Sequence, residues 1–427
     1  MAFSLDGRGW LAPVDAGRRE WLRALCSRAE TLGMRVALVG GFVRDRLLGT
    51  TPDDFDLVIE GDATMLSRDL EATLGGHLRV HRPFGTATWQ APDRHTFDLA
   101  SARHEHYTAP AALPTVRLGA SLEQDLARRD FTINAMALPL TRDGVGELVD
   151  PANGRADLAA RAIRVLHPQS FVDDPTRLFR AVRYAARYGF SLTPETNARV
   201  PSGIAHVPDL SGDRIRHELE LIAVEPMASA AMTSLAQAGV LTAVHPALDW
   251  TSADTAVWPT LESIWQWLVD AGDDSVSYHD LALAALLTLA LGGLTRAADD
   301  ARGALARLNP NAQVAHAVTQ VLAVPPDQTP PDRTSTIVDQ LDALSPLGAL
   351  TLAVTHAHWR EAVLRYRETW NSIRPRTTGD DLVRIGLAPG PRFRALLLGL
   401  RAALLNGEIG PDQEGDWIER ALEEDRP

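Results

Sequence analysis

Lysine is absent from the 427 residues, cysteine occurs once, and no apolar run approaches the ~18 to 20 residues that a membrane-spanning helix needs. The lone Cys26 excludes a disulfide framework and a cysteine-based zinc site. It lies in an amphipathic stretch and is expected in the core. The N-terminal string MAFSLDGRGW has neither a basic flank nor an apolar signal core, so the chain is expected in the cytoplasm with no membrane partner. Positive charge is also scarce. The 42 basic residues, all arginine, stand against 55 acidic ones, a formal net charge of −13. That balance excludes a general nucleic-acid coat and the basic tail that a non-specific RNA binder wants. Any RNA contact must be local, and arginine's planar fork of donors suits phosphates and base edges. A Walker A loop is missing as well, because no G-x-x-x-x-G-K-[ST] string occurs.

What is present is enough apolar residue, 45% of the chain, to build cores for two to four domains. Residues 17 to 33 have helical period, with Trp21, Leu22, Leu25, Ala29 and Leu32 on one face and Gly33 placed to end the helix. Strand character follows at 35 to 40, 54 to 60, 78 to 82, 85 to 90 and 95 to 100, with a hairpin turn at Ala91 to Arg94. From about residue 156 strand signals almost vanish and Ala/Leu/Arg-rich helical periods take over, including 212 to 224, 227 to 238 and 279 to 292. Pro/Gly punctuation at 201 to 203, 272 to 274 and the linker-like PPDQTPPDR of 325 to 333 divides this helical part.

Residues 38 to 62, LVGGFVRDRLLGTTPDDFDLVIEGD, carry the most chemistry. Asp54 and Asp56 are alternate residues of an expected strand, so both project from one face and can grip a pair of Mg²⁺ ions, while Phe55 points into the core. Two such ions stabilise an attacking hydroxyl and a departing pyrophosphate. The amides after Gly40 and Gly41 open a helix whose N-terminus offers donors to a phosphate. Farther on, TFDLASARHEHY (96 to 107) puts Asp98 on a strand able to lie beside the first. In the segment 170 to 190, Asp174 and Pro175 are placed to start a helix on which Arg177, Arg180, Arg183 and Arg187 share about 120° of one face, opposite Leu178, Phe179, Val182 and Ala186. Tyr278-His279-Asp280 reads as a helix start, the pairs His104/His106 and His356/His358 lack further metal ligands, and Trp258, Trp265 and Trp267 read as helix packing.

Taken together, the Gly40-Gly41 turn, Arg44 and Asp45 on the intervening helix, Asp54-x-Asp56, the string EQDLARRDFTINAM (123 to 136) and the Asp174-x-x-Arg177 pattern resemble the class II tRNA nucleotidyltransferases and their bacterial poly(A) polymerase relatives. The resemblance is strong over 36 to 190, moderate to about 250, and beyond that confined to the G-L-x-P-G-P turn within 379 to 408, similar to a tail that touches the RNA elbow. It implies an α+β fold: a polymerase-β-like nucleotidyltransferase head with a mixed β-sheet, then an elongated all-α neck, body and tail. The expected divisions are 1–140 (head), 141–215 (neck), 216–324 (body) and 325–427 (tail, tRNA binding).

The implied reaction is template-independent addition of C and/or A of the 3′-terminal CCA to tRNA from CTP and ATP. Its catalytic metal ligands would be Asp54, Asp56 and Asp98, with Mg²⁺ as cofactor. Gly40, Gly41, Arg44, Arg129 and Asn134 are implied at the triphosphate. Asp174 and Arg177 are implied to read the base edge, and Arg103, Asp130, Arg180, Arg183 and Arg214 to lie near nucleotide or primer. One departure is Asp173, where the family usually has Glu. The stretch from Arg103 to Arg128 is long enough to keep the mobile loop that CC-only members shorten, which favours an enzyme able to add A. Partial enzymes adding only A or only CC are the alternatives. Poly(A) synthesis is disfavoured by the acidic balance, a silent RNA-binding protein by the retained carboxylates, and transfer to a small molecule by the long helical extension.

Overall fold

The computed structural model describes residues 9–52, 55–81, 85–250, 257–292 and 298–424, and these fall into two compact units, 1–218 with 237–244, and 219–236 with 245–427. In the first, helix α1 (Ala16–Thr31) starts under the Asp15 side chain, which accepts from the Arg18 amide at 2.7 Å, and buries Leu22, Leu25, Cys26 and Ala29. Strand β1 (Arg35–Val39) is buried along four of its five residues, as a central strand must be. At Gly40, with φ +63°, the chain leaves the strand and enters α2 (Gly41–Leu48), which closes on Gly49 in the left-handed region. Next come β2 (Asp56–Glu60), α3 (Ala63–Leu74, capped by Asp62), β3 (His77–His81), β4 (Thr86–Gln90) and β5 (Thr96–Ser101). The expected hairpin turn is present: the Ala91 amide donates to His95 O and the Arg94 amide to Ala91 O.

Sequence periodicity did not indicate the next four strands, of which β6 (Arg103–His106) and β7 (Thr115–Leu118) pair into a separate ribbon. After α4 (Leu122–Ala127) and a 3₁₀ turn at Thr132–Asn134, the strands β8 (Ala137–Thr141) and β9 (Gly144–Val145) complete a seven-stranded sheet in the order β3-β4-β5-β2-β1-β8-β9. Only the β2/β5 pair in it is parallel; the mixed sheet matches the expectation. The helical part of this unit runs through α5 (Gly154–Ala159), β10 (Ala162–Ile163), α6 (Ser170–Asp173), α7 (Thr176–Tyr188), β11 (Ser191–Leu192), α8 (Pro194–Asn197), α9 (Val200–Ile204) and α10 (Gly212–Ala223). The two-residue pair β10/β11 is the exception to an all-helical continuation.

The second unit is built of helices joined by turns, with no strand among its described residues. Its helix Tyr278–Leu291 is apolar nearly all round and buried nearly all round, as a helix enclosed by others must be. It begins at the Ser277 cap, so Tyr278-His279-Asp280 is a helix start as expected. The proline-rich stretch before Thr334 is tied down by Trp359, whose indole N–H donates to Gln328 O at 2.9 Å. Farther on, Leu382, Leu396, Leu400, Ile409 and Ile418 form a small core of their own. Among the described residues no helix is long and apolar enough to cross a membrane.

Candidate active site

Parallel pairing of β2 with β5 places Asp56 directly beside Asp98, and antiparallel pairing of β5 with β4 places Thr88 on Asp98's other side. Directly paired residues project from the same face of a sheet, so the two carboxylates share one face. Thr88 Oγ1 donates to Asp98 Oδ1 at 2.6 Å and orients that carboxylate. Phe55, one residue earlier, faces the other way, 8% exposed, with its ring 5.2 Å from that of Phe42. Asp54 lies outside the described residues. The carboxylates open on a cleft of about 400 Å³ lined also by Thr86, Arg103, Arg128 and Arg129. Among the described residues no three acidic, His or Cys side chains gather closely enough to hold a metal. The pair Asp56 and Asp98 nevertheless offers the hard oxygen donors that suit Mg²⁺, an ion that keeps several waters and takes one or two protein carboxylates.

The arginine wall of this cleft is built from two acidic anchors. Asp125, fully buried on α4, accepts from Arg128 Nη2 at 2.7 Å, from Arg129 Nη2 at 3.2 Å and from the Arg103 amide at 3.2 Å. Glu105 accepts from Arg103 Nη2 at 2.8 Å and Arg128 Nη1 at 2.7 Å. Three cations on two carboxylates leave an excess of positive charge facing the cleft. The Nε of Arg129 is buried and has no hydrogen-bond partner among the described residues. A Cβ on Gly40 would stand 2.9 Å from Arg129 Nη1, so glycine at 40 serves both the positive φ and the close approach of this guanidinium.

Behind the turn lies a second, buried set. Arg44 on α2 donates to Asn134 Oδ1 at 2.7 Å, forks onto Asp45, and lies 5.4 Å and 4.9 Å from the ring centres of Tyr184 and Tyr188. Asn134 donates to Asp130 Oδ1 at 3.0 Å, and Arg180 of α7 forks onto Asp130 Oδ2 at 2.9 Å and 2.5 Å. Burial pushes the Asp130 carboxyl up, but the Arg180 cation and the donors from Asn134 and the Phe131 amide outweigh it and hold the group at about 2. Glu218 of α10 lies 4.0 Å from both Arg180 and Arg183, and its acid is nonetheless raised by burial. The arginine face of α7 is packed at Arg177 and Arg183, 4% and 7% exposed, while Arg180 is partly buried and Arg187 is exposed.

The start of α7 lies one residue from the expectation: Pro175 holds the cap position expected of Asp174, and the Asp174 carboxylate accepts from the Thr176 amide at 3.0 Å. Asp174 also accepts from Arg214 at 2.7 Å, and Arg214 in turn donates to Ala111 O. Arg177 donates through Nη1 to Ser170 Oγ at 2.7 Å and through Nη2 to Arg128 O at 3.0 Å, which ties the first turn of α7 to the arginine wall. Asp173 and Arg128 line a neighbouring cleft of about 500 Å³ with Glu105, Tyr107 and His167.

Asp56, Asp98, Arg103 and Arg129 are thus gathered at one cleft, Arg44, Asp130, Asn134, Arg180 and Arg183 in the buried set, and Asp174, Arg177 and Arg214 at the foot of α7. Sequence reasoning did not single out Thr88, Glu105 or Asp125. Asp125 had a signal, lying three and four residues before Arg128 and Arg129, a spacing that brings side chains together over the last turn of a helix. Thr88 had none, because only the strand register brings it to Asp98.

Residues 36–164 match the family model of the poly A polymerase head domain. Over 402 residues, 91% of this chain and 45% of the relative, the chain is 36% identical to an A-adding tRNA nucleotidyltransferase of Geobacter sulfurreducens. Over 221 residues, 52% of this chain and 58% of the relative, it is 41% identical to a CC-adding tRNA nucleotidyltransferase of Deinococcus radiodurans. The chain spans about half the length of the curated relatives it matches. A solved CCA-adding enzyme in an apo form superposes with a TM-score of 0.81 at 26% identity, covering 99% of this chain and 100% of the other.

Proposed function

We propose that this chain, which belongs to the class II CCA-adding tRNA nucleotidyltransferase family, adds C and A residues of the CCA end to tRNA without a nucleic-acid template. The observation that carries the reading is the in-register Asp56/Asp98 pair facing the Arg128/Arg129 wall across one cleft. Asp56 and Asp98, with Asp54, would hold Mg²⁺, which when bound supplies Lewis-acid activation and neutralises developing charge. Arg129, its buried Nε without a partner among the described residues and its Nη1 against Gly40, is poised for triphosphate oxygens. The α2 amides beyond Gly40 add donors to the same anion. The Arg44–Asn134–Asp130–Arg180 set fixes that turn from behind. Asp174 and Arg177 present an acceptor and donors to the edge of the incoming base.

In the reaction, the 3′-hydroxyl oxygen of the tRNA bonds to the α-phosphorus of CTP or ATP, the bond to the bridging α–β oxygen breaks, and pyrophosphate leaves. Positioning and preorganised charge lower the barrier. We assign residues 1–140 to the catalytic head, 141–215 to the neck, 216–324 to the body and 325–427 to a tRNA-binding tail, and place the protein in the cytoplasm. A second reading, a partial enzyme, is favoured by the names of the two relatives, one A-adding and the other CC-adding. The test is incubation with Mg²⁺, CTP and ATP, of tRNA ending at the discriminator base and of tRNA ending in CC, followed by sequencing of the 3′ ends. Complete CCA on the first substrate is expected. A stop at CC, or a single A on the second substrate alone, would identify the partial enzyme, and no incorporation would refute the assignment.

A further inference from the structure

Arg177 is held on one side only. Both contacts of its Nη1 are made by the segment leading into α7: Ser170 Oγ at 2.7 Å and His167 Nε2 at 3.4 Å. Its Nη2 reaches Arg128 O at 3.0 Å. A guanidinium carries five N–H donors, and among the described residues these three contacts leave the Nε–H and one Nη2–H, on the edge of the guanidinium used for bidentate recognition. With Arg177 only 4% exposed and Ser170 fully buried, the orientation of that fork is decided by these anchors and not by solvent.

We infer that His167 and Ser170 are positioning residues, which aim the open fork of Arg177 at the edge of the incoming base and so set how strictly the nucleotide is chosen. The inference rests on the reading of Arg177 as a base-reading residue. For Nε2 to accept from a cation the imidazole must be neutral; once protonated it has no acceptor and repels the guanidinium. Charged and titratable groups around His167 are Arg177 on α7 and Asp173 on α6, the latter 3.9 Å from Nδ1. Across the cleft stand Glu105, Tyr107 and Arg128, with His104 and His106 on β6. Burial and then Arg177 pull the imidazole below its usual 6.5, against the pull of Asp173, which keeps it neutral at pH 7.

The experiment measures kcat/KM for CTP and ATP against UTP and GTP, on tRNA primers, between about pH 5 and 8. Wild type is expected to discriminate sharply near neutrality and less as pH falls through the His167 pKa. His167→Leu and Ser170→Ala lower the discrimination ratio about tenfold at pH 7.5, through loss of the correct nucleotides' advantage. In His167→Gln the amide oxygen accepts where Nε2 did, so discrimination is retained and no longer falls with pH. Circular dichroism and thermal melting establish that each variant folds; if His167→Leu does not, Ser170→Ala and the His167→Gln pH profile decide. An unchanged ratio in the folded loss-of-contact variants, or a His167→Gln profile that follows wild type, overturns the inference while leaving the activity standing. A wild-type chain that incorporates nothing overturns the parent reading and this one with it.

Discussion

Substitution of Arg180 by Met removes the one cation that, among the described residues, is hydrogen-bonded to Asp130, a carboxylate 8% exposed, and leaves it with the Phe131 amide and Asn134 as donors. Taking one partner from a buried pair costs about 3 to 5 kcal/mol, because the remaining charge stays desolvated. Linkage points the same way: a carboxyl lowered from 3.8 to about 2 contributes roughly 2 kcal/mol to stability. The sign follows from a depressed acid. This stability is fully present above the unfolded pKa of 3.8 and is lost as pH falls through about 2. Two compact units make a single global unfolding transition a poor reporter, so the assay is hydrogen exchange by mass spectrometry on the peptide covering 130 to 137, corrected for intrinsic rates. Its reporters are the Asn134 amide, which donates to Phe131 O, and the Ala135 amide, which donates to Thr132 O. At pH 7 protection in Arg180→Met is expected to drop about a hundredfold, and the gap from wild type should narrow between about pH 4 and pH 2. Nucleotide incorporation should fall with it, since Asn134 is the residue on which Arg44 rests. Protection within about threefold of wild type, or a gap that stays constant down to pH 2, would refute the argument.

Three other outcomes are expected. Asp98→Asn keeps the Thr88 hydrogen bond but removes one negative ligand, so incorporation should fall about a hundredfold or more with the melting temperature unchanged; activity near wild type would remove Asp98 from the metal site. Gly40→Ala meets Arg129 Nη1 at 2.9 Å and carries a side chain at φ +63°, which should cost about 1 to 2 kcal/mol and raise KM for the nucleoside triphosphate several-fold, read by hydrogen exchange of the α2 amides and by steady-state kinetics. Cys26, 2% exposed and with its thiol pushed up by burial to about 12, should react with a disulfide reagent at pH 8 at least about a hundredfold more slowly in the native chain than in denaturant; rapid native labelling would contradict its burial.

Local rules carried the sequence reading far where the information was local. Period and caps placed α1, α7 and the helix at Tyr278, and the turn at Ala91 joined its two strands, because side-chain alternation and capping act within a few residues. The Gly40-Gly41 turn and the Asp98 strand were legible for the same reason. The ribbon β6/β7 escaped notice, since four-residue strands without clean alternation carry little periodic signal. Helical geometry also put Arg177, Arg180 and Arg183 on one face, yet their surroundings came from elsewhere: Asp130 lies 50 residues before Arg180, and Arg128 O 49 before Arg177. Part of the stripe read as open to anions is occupied instead: carboxylates from a distant turn and from α10 meet Arg180 and Arg183, while Arg187 stays exposed. Residue type and local spacing, then, determined which groups this protein has for its chemistry. Only the tertiary structure decided which of them face the cleft and which hold the others in place, because strand register and helix packing bring together residues whose separation along the chain holds no trace of their contact.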